Sequence, residues 1–295
     1  MQITPLNDLP LIRETGALAA ARGLECYAVG GCVRDWSMGL PSADMDFLFS
    51  GDASPVAEGL VKAHGGSFTR FERFLTIRVF LESGRRVDLA RFRKESYPAP
   101  AALPEVSEAV TAGEDLGRRD FSANAMAAAV LPDRFGSALD PFGGLKDIRE
   151  RRLRVLHAES FTDDPTRLFR AARFAGRFGW QMDRETNELA RKCVKAGVPS
   201  LLSRERLRNE LFKILEEKDP GPAFAVLRGL DAFRFFSRDF VWPAGEVPAG
   251  AIPRLAAIAA AMGRSGAPFL ESLKLPGKTI ASIKRTVSGT YGKNL

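Results

Sequence analysis

Apolar residues recur three and four apart in LPLIRETGALAAARG (residues 9–23), which predicts a short amphipathic helix. ECYAVG (25–30) then reads as a strand, CVRDWSMG (32–39) as a helix and DMDFLFS (44–50) as a strand. SPVAEGLVKAHGG is a further helix, opened by Ser54 and closed by Gly65. FLTIRVFL (74–81) and RRVDLARF (85–92) have strand composition and are joined by the turn ESG, so they are expected as antiparallel neighbours. From about residue 140 the texture changes to helix after helix: DDPTRLFRAARFAGRFG, DRETNELARKCVKAG, SRERLRNELFKILEE and GPAFAVLRGL. WPAGEVPAGA (242–251) is a Pro/Gly loop before two last helical stretches. A mixed α/β head ahead of an all-helical remainder is the expected order.

The segment GGCVRDWSMGLPSADMDF (30–47) sets a glycine pair at a strand-to-helix turn and, one short helix later, two aspartates at i and i+2. Alternate residues of a strand share a face, so Asp44 and Asp46 are expected side by side. Like charges that close are costly unless a cation lies between them, and hard oxygen ligands suit Mg²⁺ completed by water and substrate phosphates. Gly30 and Gly31 can bring bare backbone N–H groups up to a triphosphate. Together these features point to nucleotidyl transfer. Asp88 faces opposite Val87 and Leu89, and on a strand beside the Asp44/Asp46 strand it would complete a carboxylate triad for two-metal chemistry. Its plainer role is an ion pair with Arg86.

In GRRDFSANAMAAAV, the guanidinium forks of Arg118 and Arg119 suit phosphates, and the carboxylate of Asp120 suits a ribose hydroxyl. Asp120 is also a good helix cap for the apolar run that follows. The tail KLPGKT has a Walker-like look, but the first glycine of that pattern falls on Ser272, so it reads as a loop and helix start.

The 295 residues suffice for two or three domains, and the balance of 43 Lys and Arg against 36 Asp and Glu, a net charge of +7, favours a polyanionic partner. Cys26, Cys32 and Cys193 form no C-x-x-C pair or disulfide framework, and His64 and His157 are too few for a histidine-based zinc site. No run of 18 apolar residues occurs, and the N-terminus lacks signal-peptide character, which makes a cytoplasmic protein with no membrane partner the expectation.

The blocks GGCVRD, DMD, VDLARFRKESY, ALPEV, RRDFSANAMA, DPFGGLKDIRERRLRVL, DDPTRLFRAARFAGRFG and RERLRNELFKIL stand in the order seen in class II tRNA nucleotidyltransferases. Over residues 25 to about 230 the chain resembles that family, which comprises CCA-adding enzymes and bacterial poly(A) polymerases. The resemblance implies an α+β fold. A nucleotidyltransferase palm (1–137) would carry a mixed sheet with helices, followed by an all-helical neck that recognises the base (138–200) and a helical body that binds RNA (201–295). Asp44 and Asp46 would hold Mg²⁺ with Asp88 as third carboxylate. Gly30, Gly31 and Arg34 would bind the triphosphate with Arg119 near it, and Asp120 and Asn124 would address the ribose.

Asp164 and Arg167 of the DDPTR block would read the Watson–Crick edge of CTP or ATP, joined by Arg170 and Arg173 as nucleotide-binding residues. One turn of helix would put Asp164 and Arg167 on one face. The glutamate usual before that aspartate is here Asp163. The implied reaction adds C, A or both to the 3′ end of tRNA by two-metal transfer with release of pyrophosphate. A poly(A) polymerase is the alternative, disfavoured because FTRFERFLTIRV lacks a GRRF-like block; an inactive RNA-binding relative is another, against which the intact D-x-D and RRD stand. Arg204, Arg206, Arg208 and Lys213, with Lys274, Lys278, Lys284, Arg285 and Lys293, would suit the phosphates of an acceptor stem. Family members usually carry a further tail that grips the tRNA elbow, so a chain ending at Leu295 is expected to be either a compact or a shortened form.

Overall fold

The computed structural model describes residues 2–292, and Lys293 therefore lies outside the described residues. Two compact units are present: one runs to Pro98 and resumes over Leu103–His157, and the other comprises Ala99–Ala102 and everything from Ala158 onward. The expected division at residue 137 falls inside the first unit.

The first unit begins with α1 (Leu9–Ala20), β1 (Cys26–Val29), α2 (Gly31–Ser37), β2 (Asp46–Phe49) and α3 (Ser54–His64). The strands β3 (Ser67–Phe71), β4 (Thr76–Phe80), β5 (Arg86–Arg91), β6 (Arg93–Ser96) and β7 (Glu105–Glu108) follow. It closes with α4 (Ala112–Gly117), β8 (Ala127–Ala129), β9 (Ala138–Leu139), α5 (Gly144–Arg149) and β10 (Arg152–Leu153). Seven strands form one sheet in the order β3-β4-β5-β2-β1-β8-β9. Only the β2–β5 pair within it is parallel; the other neighbours run antiparallel. β6 and β7 make a separate hairpin.

Alternation sorts the sheet into two faces. Phe47, Phe49, Val87, Leu89, Ile77 and Val79 share one face and are buried, on the side where α3 meets β4. The opposite face carries Tyr27, Val29, Leu48, Ala127 and Ala129, buried in one cluster with Phe92, Ala112 and Leu116. Beyond Leu48 this second face turns polar, through Asp46, Asp88 and Arg78 in register. The expected FLTIRVFL and RRVDLARF strands are present and antiparallel. β3 went unread because SFTRF is largely exposed on both sides and shows no alternation. AMAAAV, which suggested a capped helix, yields β8 instead, since these alanines are buried between β1 and β9 and packing overrides their helical preference.

The second unit holds α6 (Ser160–Asp163), α7 (Thr166–Phe178), β11 (Gln181–Met182), α8 (Arg184–Lys195), α9 (Arg204–Leu215), α10 (Gly221–Gly229), α11 (Ala251–Met262), α12 (Gly266–Ser272) and α13 (Gly277–Tyr291). Asp183 and Ser203 cap α8 and α9 by accepting the backbone N–H of Thr186 and Arg206. α7 packs against α9 and α10, and its Leu168, Phe169, Ala171 and Ala172 are buried. Phe224 stacks on Trp242 at 4.3 Å and meets Phe233 and Phe240, so the Pro/Gly loop is fastened by an aromatic cluster. Buried Arg254 of α11 donates to the carbonyls of Leu215, Glu217, Lys218 and Pro248 at 2.6–3.0 Å, closing the C-terminal end of α9. After the Pro/Gly loop come three helices rather than two, and KLPGKT is a loop followed by the start of α13. No helix is long and apolar enough to cross a membrane among the described residues.

Candidate active site

The glycine pair lies where β1 turns into α2. Gly30 has φ +74° and donates its N–H to the carbonyl of Met126, a conformation that L side chains rarely adopt. A Cβ there would meet Nη1 of Arg119 at 2.6 Å, the far end of a flexible side chain, so the conformation rather than the space calls for glycine. Arg34, in the short helix α2, is buried; it donates to Asn124 Oδ1 at 2.7 Å and to Asp35 at 2.7 and 2.9 Å. Asn124 in turn donates to Asp120 Oδ1 at 2.9 Å, which also accepts the N–H of Phe121. The GG turn and the RRD block, ninety residues apart in sequence, are thus joined by an Arg34–Asn124–Asp120 chain of hydrogen bonds.

Asp46 opens β2, and Asp88 lies opposite it on β5. Neighbouring strands are about 4.8 Å apart, which brings the two carboxylates side by side. Burial first, with repulsion from Asp88 and Asp44, pushes the Asp46 carboxyl up to about 6 against the pull of Arg119. Asp88 is held bidentately by Arg78 at 2.7 and 3.0 Å, rather than by Arg86 at 3.9 Å. Asp44 departs from the expected geometry: it precedes β2, is exposed, and reaches Arg86 at 3.4 Å. The adjacent pair is therefore Asp46 and Asp88, with Asp44 at the rim.

This pair lines a cavity of about 460 Å³ shared with Arg78, Arg93, Arg118 and Arg119. Arg118 is tied to Asp115 and Glu95, and Arg119 to Asp115, so the expected pair of phosphate clamps is braced from behind. The Nε atoms of Arg93 and Arg119 are buried without a hydrogen-bond partner. Burial and the positive charge of Arg118 lower the Arg93 pKa to about 10. Arg78 and Arg93 were missed in the sequence, although both sit at alternate positions in strand-like runs. Among the described residues no cluster of three or more His, Cys, Asp or Glu could hold a metal unaided. Two carboxylates on neighbouring strands still suit a Mg²⁺ ion that takes its other ligands from water and phosphates, and the guanidinium groups of the arginines lining the same cavity suit a phosphate chain.

In the second unit, Asp164 stands before α7, where its Oδ1 accepts the N–H and hydroxyl of Thr166 and Nη2 of Arg206 at 2.7 Å. Its backbone is extended, as proline at 165 favours, and its carbonyl accepts the N–H of Arg167 at 3.0 Å. Arg167 is buried and donates to Ser160 Oγ at 2.8 Å. Arg170 lies over the ring of Phe174 at 5.4 Å, and Arg173 is buried against Glu217 at 3.1 Å. The basic residues expected to face RNA from α9 are partly engaged within the unit. Arg204 donates to the carbonyl of Phe236, Arg206 to Asp164 and the carbonyl of Ala101, Arg208 to the carbonyls of Leu273 and Lys274, and Lys213 to Glu210.

Residues 26–154 match the family described as "Poly A polymerase head domain". The A-adding tRNA nucleotidyltransferase of Geobacter sulfurreducens is 38% identical over 80% of this chain and 27% of its own length. The CC-adding tRNA nucleotidyltransferase of Deinococcus radiodurans is 37% identical over 77% of this chain and 58% of its own. The chain thus spans between about a quarter and three fifths of these curated relatives. A solved tRNA-processing enzyme with CTP superposes with a TM-score of 0.78 at 30% identity, over 92% of this chain and 76% of the other.

Proposed function

Because the chain belongs to the family of tRNA nucleotidyltransferases and poly(A) polymerases, we propose that it adds C, A or both to the 3′ end of tRNA without a nucleic-acid template, releasing pyrophosphate. The observation that carries this reading is the Asp46–Asp88 pair, in register across parallel strands on the floor of an arginine-lined cavity. Enzymes of this kind generally work with divalent cations, and the donor set here suits Mg²⁺ held by Asp46 and Asp88, with Asp44 joining from the rim. The bound cation would lower the pKa of the attacking 3′-hydroxyl and neutralise the leaving pyrophosphate.

The remaining roles belong to the chain's own side chains. Gly30 and Gly31 offer bare backbone at the β1–α2 turn to the triphosphate, and Arg119, which lines the cavity, donates to it. Asp120 and Asn124 address the ribose, and Arg34 fixes the Asn124 amide by taking its oxygen, which leaves the NH₂ for Asp120. Asp164 and Arg167 choose the base, with Arg170 and Arg173 supporting them along α7. In functional terms residues 1–137 are the catalytic head, 138–200 the base-selecting neck and 201–295 the RNA-binding body. The partners are tRNA and CTP or ATP, in the cytoplasm. Pyrophosphate release tests the reaction: it should require tRNA together with CTP or ATP and stop when the cation is chelated, and release without tRNA would overturn the reading.

Base choice has its own test. Arg167→Ala should lower the kcat/KM preference for CTP or ATP over UTP and GTP about tenfold, because a lost hydrogen bond leaves a base edge unpaired at roughly 1 to 3 kcal/mol. Transfer of the base that still binds should slow much less. Measuring kcat/KM for all four triphosphates decides the matter, since unchanged ratios place the choice elsewhere.

A further inference from the structure

Phe71 ends β3 and Phe74 lies in the turn to β4, and both are exposed, at 39% and 44%, on the wall of the cavity that holds Asp46 and Asp88. Large aromatic side chains left open at a polar cavity cost hydration free energy unless something covers them. The register orients this wall. Phe71 pairs with Thr76, Thr76 with Ala90 and Ala90 with Leu48, a row adjacent to the Asp46–Asp88–Arg78 row on the same face. Two strands and two residues separate Phe71 from Asp88, about 12 Å between backbones. Side-chain reach narrows that gap to the scale of one nucleoside.

The turn is held in place. Leu75 adopts φ +50° and its carbonyl accepts the N–H of Arg91, while Arg93 donates to the carbonyl of Phe74 and to Thr76 Oγ1. Arg78 lies 5.5 Å from the ring of Phe71, and Arg73 lies 5.9 Å from that of Phe74. Aromatic faces beside guanidinium groups suit a flat base carried on a phosphodiester chain, because stacking tolerates any base while the cations take the phosphates.

Resting on the proposed transfer reaction, we infer that Phe74, with Phe71 beside it, is the stacking platform for the terminal base of the RNA whose 3′-hydroxyl attacks. The continuity of these rings with the carboxylate cavity favours the RNA end as the occupant. The incoming nucleotide is the competing occupant, and the experiment separates the two.

Phe74→Ala should raise the KM for tRNA roughly tenfold, as expected for loss of one base–aromatic stack. The KM for CTP or ATP and the kcat at saturating tRNA should stay within threefold. Phe74→Trp should keep the wild-type KM for tRNA, and its added fluorescence, taken as the difference from wild type, should be quenched by tRNA alone. That quenching needs no turnover, so it separates the two readings: quenching without nucleotide incorporation would fail the transfer reaction and keep the platform. Incorporation by wild type with an unchanged tRNA KM in Phe74→Ala, no quenching in Phe74→Trp, or a rise in nucleotide KM instead, would overturn the platform.

Discussion

Asp46→Asn is expected to lower kcat for nucleotide incorporation by at least about 10³-fold while making the folded protein more stable at pH 8. The loss follows from removing one of two carboxylates placed to hold a cation; several kcal/mol of charge stabilisation disappear, and each 1.36 kcal/mol is a factor of ten. The gain follows from linkage. Burial above all raises the Asp46 carboxyl to about 6, whereas the unfolded chain titrates near 3.9. Between those values the fold holds a proton that the unfolded chain has lost, so stability falls as pH rises through the window. Above about pH 6 the full cost of ionised Asp46 is present, and below about pH 4 it is absent. With the cation chelated, Asp46→Asn should melt higher than wild type at pH 8, and the difference should vanish at pH 4. A variant that keeps more than a tenth of wild-type kcat, or melts lower at pH 8, would contradict the assignment.

Arg254→Met should lower the unfolding free energy by about 3 kcal/mol, read from the urea midpoint at unchanged slope. The methionine keeps the apolar stem, but four carbonyls lose their donor. One of these, from Leu215, is the last carbonyl of α9, where backbone acceptors have no partner within the helix, and that of Glu217 follows just beyond the cap. Buried acceptors left without a hydrogen bond cost roughly 1 to 3 kcal/mol each, and partial access of water offsets some of the sum. A loss below about 1 kcal/mol would mean that water or the neighbouring loop replaces Arg254 without penalty.

The two groups that make the cavity were readable to different depths. Gly30 and Gly31 at the end of an apolar strand, and Asp88 between Val87 and Leu89, follow from the period-two pattern, and the structure sets β5 beside β2 with Asp88 opposite Asp46. Nothing local tells where a strand starts pairing, so the D-x-D pattern sets Asp44 in β2 although the ladder begins at Asp46. Arg34 and Asn124 could be singled out separately, but their hydrogen bond spans ninety residues and exists only once β1 and β8 pair. The arginines of α9 look like an RNA-facing stripe in the sequence. In the fold, Arg204, Arg206 and Arg208 each find a carbonyl oxygen nearby, because a long guanidinium side chain satisfies stray backbone acceptors as readily as it meets phosphates.

Nucleotidyl transfer to tRNA ends at the Asp46–Asp88 cavity can be read on one gel. Wild-type protein with Mg²⁺ is given labelled CTP or ATP and three tRNAs, ending at the discriminator base, at the first C and at CC. At least one tRNA should lengthen by only the nucleotides that complete CCA, and Asp46→Asn should lengthen none. Absence of extension on all three by wild type, or extension by Asp46→Asn equal to that of wild type, would contradict it.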